Sequence, residues 1–173
     1  IANIAAASAM LHSSGNLSDI AHAKSVIANE SQSSEDHLQA AIAHSAAAED
    51  AREEHGFATR QIARDQMRVK EVKDAHAAAA AMPPSPPGFY GSHDVLKREA
   101  RDKEEALARD DIQGRISRNE QYLKDLDAKA KDHEERAADH GGLAGHSAGW
   151  EHEGASERPA PAGAAERGKA ALE

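Results

Sequence analysis

The chain has 173 residues and a formal net charge of −9, with no cysteine and only 3% aromatic residues. Without cysteine there is no disulfide framework, thiol nucleophile or cysteine-based metal site, and the acidic balance without a basic patch argues against nucleic-acid binding. Alanine accounts for 39 residues, whereas Leu, Ile, Val and Phe total 23, too few to line a compact domain of this length. The composition therefore favours an extended helical protein.

Residues 1–16 form an apolar, alanine-rich lead. A frayed terminus and a short helix pressed into a partner are both compatible with it. The chain begins with Ile rather than Met, which suits a processed organellar protein, for example a mitochondrial one, or a protease-matured viral structural protein. The large apolar side chains of the lead, which we predict to dock onto a partner, are Ile1, Ile4, Met10 and Leu11.

Two helices are predicted next. A short helix covers residues 17–30, with Asn16 or Ser18 as its cap. A long helix covers residues 34–82, because Ser34 is a good cap and acidic residues follow it at the positive end of the helix dipole.

The segment 83–91, PPSPPGFYG, interrupts this pattern. Its four prolines exclude a helix because they lack the backbone donor and fix φ. The segment also contains Phe89 and Tyr90, two of the four Phe and Tyr residues in the chain. We predict that both aromatic side chains dock onto a partner or pack across the end of a helical hairpin.

A second long, highly charged helix is predicted for residues 92–140, with its cap at Gly91-Ser92 and its end at Gly141-Gly142. From Ile112 onward its apolar residues follow heptad spacing. The remaining segment 141–173 is rich in Gly, Ala, Pro and Glu, which predicts an extended tail. Trp150 is the large aromatic residue of that tail and a third predicted docking point.

The two long helices have equal predicted lengths and a short connector, which together predict an all-α, elongated, antiparallel, coiled-coil-like hairpin. Small residues on one helix then meet large residues on the other. The resulting register pairs Ile62 with Ile112, Ala58 with Ile116, Ala51 with Leu123, Ala48 with Leu126, His44 with Ala130, and Val69 with Glu105. The predicted seam consists of Ala48, Ala51, Ala58, Ile62, Val69, Val72, Ile112, Ile116, Leu123 and Leu126.

Histidine is unusually frequent, with 11 residues. Several lie on the stripe that forms the predicted seam, so protonation near pH 6 would place charges in an interface. Semi-exposed histidines on narrow helices are the alternative. The candidates for a pH switch are His37, His44, His55, His76 and His133.

The sequence predicts neither a metal site nor catalysis. The histidines from His133 to His152 are separated by glycine-rich sequence that fixes no ligand geometry, and no HExxH motif is present. No phosphate-binding loop or nucleophile elbow is visible. We therefore expect no enzyme activity and no cofactor.

These features predict a non-catalytic structural or accessory subunit that braces or bridges a large multi-protein assembly. Its partners would be other protein subunits, with a homo-oligomer as a further possibility, and no run of about 20 apolar residues suggests a membrane span. One alternative is a regulatory helical protein whose oligomerisation or partner binding depends on pH through histidine. Another is a stress-type protein that is conditionally disordered.

Overall fold

A computed structural model of the chain describes the backbone of residues 2–156 and the side chains of residues 3–146. Within these limits the secondary structure is entirely helical, which confirms the predicted all-α class and agrees with the high alanine content. The described helices are α1 (Ala2–Ser13), α2 (Leu17–Ser31), α3 (Ser34–Ala81), α4 (Ser92–Arg109) and α5 (Ile112–Ser156).

Helices α2 and α3 begin and end close to their predicted limits, and α1 shows that the lead, for which a frayed terminus was the alternative, is helical. The Asn16 side chain accepts a hydrogen bond from the Ser18 amide at 2.9 Å, as expected of a helix cap. At the end of α2, Gln32 adopts a left-handed conformation with φ 52°, which stops the helix before Ser34. Helix α3 ends at Ala81, just before the prolines.

The single helix predicted for residues 92–140 is wrong, because the structure divides it at Asp110-Asp111. Asp111 has φ 47°, a conformation that short polar side chains tolerate better than most residues do. A Cβ at Gly114 would overlap the Asp111 carboxylate, so glycine leaves room for this group at the start of α5. Both aspartates are further held by arginines: Arg68 bonds Asp110 at 2.6 Å and Arg118 bonds Asp111 at 3.0 Å.

The predicted helix end at Gly141-Gly142 is also wrong, since α5 continues through both glycines to Ser156. Each glycine costs about 1 kcal/mol of helix stability relative to alanine. A tertiary contact opposes this cost just beyond them: Ala144 is buried, and its carbonyl accepts a hydrogen bond from the Ser34 hydroxyl at 2.8 Å. The predicted extended tail is therefore helical over residues 141–156, and its remainder lies outside the described residues.

The chain divides into two compact units, which are described separately. Unit 1 consists of residues 1–47 and 132–173, and unit 2 consists of residues 48–131. In unit 1, a small alanine cluster of Ala21, Ala43 and Ala47 brings α2 against α3.

Unit 2 has an aliphatic interior. Ile62, Ile112 and Ile116 form one cluster, against which Val69, Leu107 and Leu123 pack. A second cluster joins Ala51, Leu126 and Ala130. In unit 2 the buried Asp65 forms an ion pair with the half-buried Arg115, whose Nε and Nη2 atoms lie 2.7 and 2.5 Å from the two carboxylate oxygens.

The predicted register holds at one point and fails at others. Ile62 does lie in the same cluster as Ile112. However, Ala51 contacts the Leu126 cluster rather than pairing with Leu123, a shift of three residues that keeps the same helix face about one turn along. Val69 likewise packs into the isoleucine cluster, together with Leu107.

Candidate functional site: a buried histidine–serine series

The interior of unit 1 is polar. Four of its histidines are buried and come from two helices: His37 and His44 from α3, and His133 and His140 from α5. Both pairs are spaced by seven residues, which is about two helical turns, so each pair lies on one helix face. Helix α2 contributes two serines with the same spacing, Ser18 and Ser25.

These side chains form two layers, each with one serine and two histidines. In the first layer, the His133 Nε2 lies 2.9 Å from the Ser18 hydroxyl, and its Nδ1 lies 2.8 Å from the His44 Nδ1. In the second layer, the His140 Nε2 lies 2.8 Å from the Ser25 hydroxyl, and its Nδ1 lies 2.9 Å from the His37 Nδ1.

Ser25 connects the two layers, because its hydroxyl also lies 2.6 Å from the His44 Nε2. Five hydrogen bonds thus join six side chains end to end. We call this arrangement the histidine–serine series; its order is Ser18, His133, His44, Ser25, His140 and His37.

The number of hydrogens that the series can hold is fixed by its bonds. Six neutral side chains supply six hydrogens, and each of the five bonds uses one. The two Nδ1–Nδ1 contacts set the limit for added protons, because each needs one bare nitrogen facing one N–H. Each facing pair, His44–His133 and His37–His140, therefore accepts one added proton with its bond intact, since the serine hydroxyls can accept from the neighbouring rings. A second proton on either pair would put two hydrogens into one contact and break a buried bond, which is costly.

The surroundings of the series disfavour protonation. Burial lowers the pKa of His44 to about 4, and the nearby His133, His140, His22 and Arg136 act in the same direction. Burial also lowers the pKa of His140, with His37 adding to the effect and Asp139 opposing it. Hydrogen bonding from Arg136 holds the pKa of Asp132 below its usual value, so this neighbouring carboxylate stays ionised.

The pH-switch candidates occupy different environments. His37, His44 and His133 belong to the series. His55 is only half-buried, with its Nε2 3.3 Å from Asp127, and His76 is exposed, with its Nε2 3.1 Å from Glu104. The structure therefore brings three of the five candidates together and leaves two on helix surfaces in unit 2.

The sequence reasoning missed half of the series. His140 was named only as a possible metal ligand, Ser18 only as a possible helix cap, and Ser25 not at all. The seven-residue spacing shared by Ser18–Ser25, His37–His44 and His133–His140 was the available signal. It identifies polar residues that recur at one helix face, as the buried positions of packed helices do.

The predicted docking residues differ in exposure. Met10, Phe89 and Tyr90 are exposed, and Ile4 and Leu11 are half-buried. Ile1 and the side chain of Trp150 lie outside the described residues. Of the seam residues, Val69 and Leu123 are half-buried, and the buried ones are Ala48, Ala51, Ala58, Ile62, Val72, Ile112, Ile116 and Leu126.

Within residues 3–146, no group of three or more histidine or acidic side chains is placed to hold a metal ion. The geometry of the series explains this, because its ring nitrogens face one another at hydrogen-bonding distance instead of converging on a common point. Over the same part of the chain, no helix has the combined length and apolarity that a membrane span requires.

No protein-family model matches the chain, and comparisons with curated proteins and with solved structures return no similar protein.

Proposed function

We propose that this chain is a non-catalytic helical protein whose unit 1 opens on acidification, so that its oligomeric state or its partner binding responds to pH. The observation that supports the proposal is the buried histidine–serine series, in which each facing histidine pair keeps its bond with one added proton and loses it with two. Histidine is the side chain whose ordinary pKa lies nearest to physiological pH, and buried histidines are a known means of pH sensing.

The direction of the response follows from the lowered pKa of His44. The unfolded imidazole gains a proton near its ordinary pKa of 6.5, whereas the folded one does so only near 4. The stabilisation is therefore complete above about pH 6.5 and is lost as the pH falls from there towards 4. The lowered pKa of His140 contributes with the same sign.

A serine hydroxyl hydrogen-bonded to an imidazole, as Ser25 is here, also occurs in the active sites of serine hydrolases. Ser25 lies in the middle of α2, where backbone amides donate to carbonyls of their own helix. These amides are not available to stabilise an oxyanion beside the hydroxyl, which is usually a large part of such catalysis. This is the physical reason for preferring a non-catalytic role.

The test compares the full chain at about pH 7.5 and at about pH 5 by far-UV circular dichroism and by light-scattering mass. We expect a loss of helix, or a change in mass, at the lower pH. An unchanged spectrum and an unchanged mass across this range would contradict the proposal.

A matched pair of variants identifies the groups responsible. His37→Asn removes one imidazole of the facing pair at the end of the series, while an amide group replaces the Nδ1 atom that bonds His140. We expect the transition of this variant to move to lower pH. His76→Asn, at an exposed position in unit 2, should leave the transition unchanged.

A second function, a brace within a protein assembly, is favoured by the connector between α3 and α4. Phe89 and Tyr90 lie there side by side, with 73% and 66% of their surfaces exposed. Adjacent exposed aromatic residues are typical of binding hot spots. In this proposal the long helices of an antiparallel, coiled-coil-like hairpin act as the strut.

Photocrosslinking from position 89 tests this second function. A single protein partner captured in stoichiometric amount from position 89, and not from the exposed position Met67, would support it. Equal capture from both positions would argue against a specific docking point.

A further inference from the structure

A groove of about 550 Å³ lies between α1 and α2 in unit 1, a size within the usual range for small-molecule sites. The groove exists because much of its lining is alanine, which leaves the space between the helices unfilled. Its apolar walls are Ala6, Ala7 and Met10 from α1 and Ala23 and Val26 from α2. Met10 and Val26 remain 45% and 38% exposed, so their burial by a ligand would be favourable.

Three polar side chains, Ser25, His22 and Arg136, also line the groove. The Ser25 hydroxyl is already bonded within the histidine–serine series, and the His22 Nδ1 bonds a carbonyl of its own helix. Arg136 uses its Nε to bond Asp132 at 2.9 Å, and its two NH2 groups have no hydrogen-bond partner among the described side chains. Its two NH2 groups therefore remain able to receive an acceptor.

The polar side chains at the opposite end of the groove already form a hydrogen bond with each other. The Asn3 side-chain amide donates to the Glu30 carboxylate at 3.1 Å, and both residues are exposed. From His22 to Glu30, helix α2 advances about 12 Å, at about 1.5 Å per residue. The groove thus has apolar walls between Arg136, which is paired with Asp132, and the polar pair Asn3–Glu30.

We propose that this groove binds an amphipathic monocarboxylate with an unbranched apolar chain of about ten carbons. The carboxylate lies against Arg136, because the planar guanidinium matches two carboxylate oxygens at once. The apolar chain covers Met10 and Val26 along α2. Polar residues bound the groove at both ends, which suits a short rod-like ligand better than the helix of a second protein.

The test is isothermal titration calorimetry of the full chain with decanoate at about pH 7.5, where the carboxylate is ionised. Arg136→Gln removes the carboxylate partner while retaining much of the side chain, and we expect it to weaken binding at least about tenfold. Ala6→Leu, at an exposed position in the groove wall, fills the space and should abolish binding. Arg118→Gln, an exposed arginine of unit 2, is the matched control and should bind normally.

Decanol, with the same chain and no carboxylate, should bind more weakly than decanoate. Failure of the wild-type chain to bind decanoate, or undiminished binding by Ala6→Leu or Arg136→Gln, would overturn the proposal, as would equal affinity for decanol. Light scattering distinguishes another occupant: if Ala6→Leu lowers the mass of the particle while decanoate does not bind, a second copy of the chain fills the groove and the proposal is wrong. Circular dichroism checks that each variant retains its helix.

Discussion

The two units of this chain solve the same problem, holding helices together, with opposite chemistry. Unit 2 buries isoleucine, leucine and alanine, together with Asp65, which is paired with the half-buried Arg115. Unit 1 buries four histidines and a serine, hydrogen-bonded to one another and to Ser18, beside small alanine contacts. Aliphatic contacts do not titrate, whereas the histidine–serine series holds its bonds only while one ring of each facing pair is neutral. The difference suggests that acidity acts on one region while the other keeps its interior.

The largest effect is expected in the aliphatic interior of unit 2. Ile112→Ala removes a side chain with no exposed surface from the isoleucine cluster. We expect the free energy of unfolding of unit 2 to fall by about 2–5 kcal/mol, because the loss of burial is joined by a cavity. This change in the free energy of unfolding is measured by urea denaturation, and amide hydrogen exchange at Ile62 and Ile116 assigns it to unit 2.

Met67→Ala provides the control for this substitution, because Met67 lies on the same unit but is 63% exposed. It should change stability by no more than about 0.5 kcal/mol. Equal effects of the two substitutions would mean that the cluster is not the core of unit 2.

The next effect concerns pH and unit 1. A shift in the pKa of His44 from 6.5 to about 4 corresponds to about 3 kcal/mol of stability lost on acidification. Amide protection at Ala21, Ala43 and Ala47, corrected for intrinsic exchange, should fall between about pH 7 and about pH 5.

Unit 2 should behave differently over the same interval. Hydrogen bonds from Arg115 lower the pKa of Asp65 below its ordinary 3.8, so its contribution persists until the pH falls below that value. Protection at Ile62 should therefore change little. Parallel losses in both units would remove the distinction between them.

A moderate effect is expected from the buried ion pair. Asp65→Asn replaces a carboxylate that is 3% exposed and leaves Arg115 without its charged partner. Because the Arg115 side chain is 37% exposed and can be partly solvated, we expect a loss of about 1–3 kcal/mol. A double-mutant cycle with Arg115→Gln should show a coupling free energy.

The surface pair Lys70–Asp74 is the matched comparison for that cycle. Both side chains are mostly exposed and four residues apart on α3. Their coupling should not exceed about 0.5 kcal/mol. A coupling as large as that of the buried pair would show that burial is not what makes the Asp65 interaction strong.

The smallest effect tests the turn that ends α2. Gln32 has φ 52°, a conformation that glycine adopts without strain. Gln32→Gly should raise stability by about 0.5–1 kcal/mol, whereas Gln66→Gly, within the exposed face of α3, should lower it by about 1 kcal/mol. Thermal unfolding of both variants checks the opposite signs, and the same sign for both would contradict the argument.

Local chemistry explains which parts of the fold the sequence could predict. The cap at Asn16, the acidic start of the helix after Ser34 and the prolines from Pro83 act over a few residues, and the helices have these limits. The division at Asp110-Asp111 was not predicted because charged helix formers surround it on both sides. It is supported by Arg68 of α3, which bonds Asp110 from 42 residues away in the sequence.

The same contrast applies to the candidate site. The abundance of histidine and its position on one helix face were visible in the sequence, and they pointed to His37, His44 and His133. The sequence did not show which residues of the two helices face each other. His44 was expected opposite Ala130 and instead contacts His133. A shift of one turn costs little in an alanine-rich seam, so the sequence pattern does not select among such registers.

The sequence by itself determined that this protein is helical, acidic and poor in large apolar residues, because composition and helix caps act locally. Only the tertiary structure decided that six polar side chains from three helices meet in one series, and that α5 continues past two glycines. The physical reason is that each of these outcomes depends on partners more than 80 residues apart, such as Ser25 with His140 and Ser34 with Ala144.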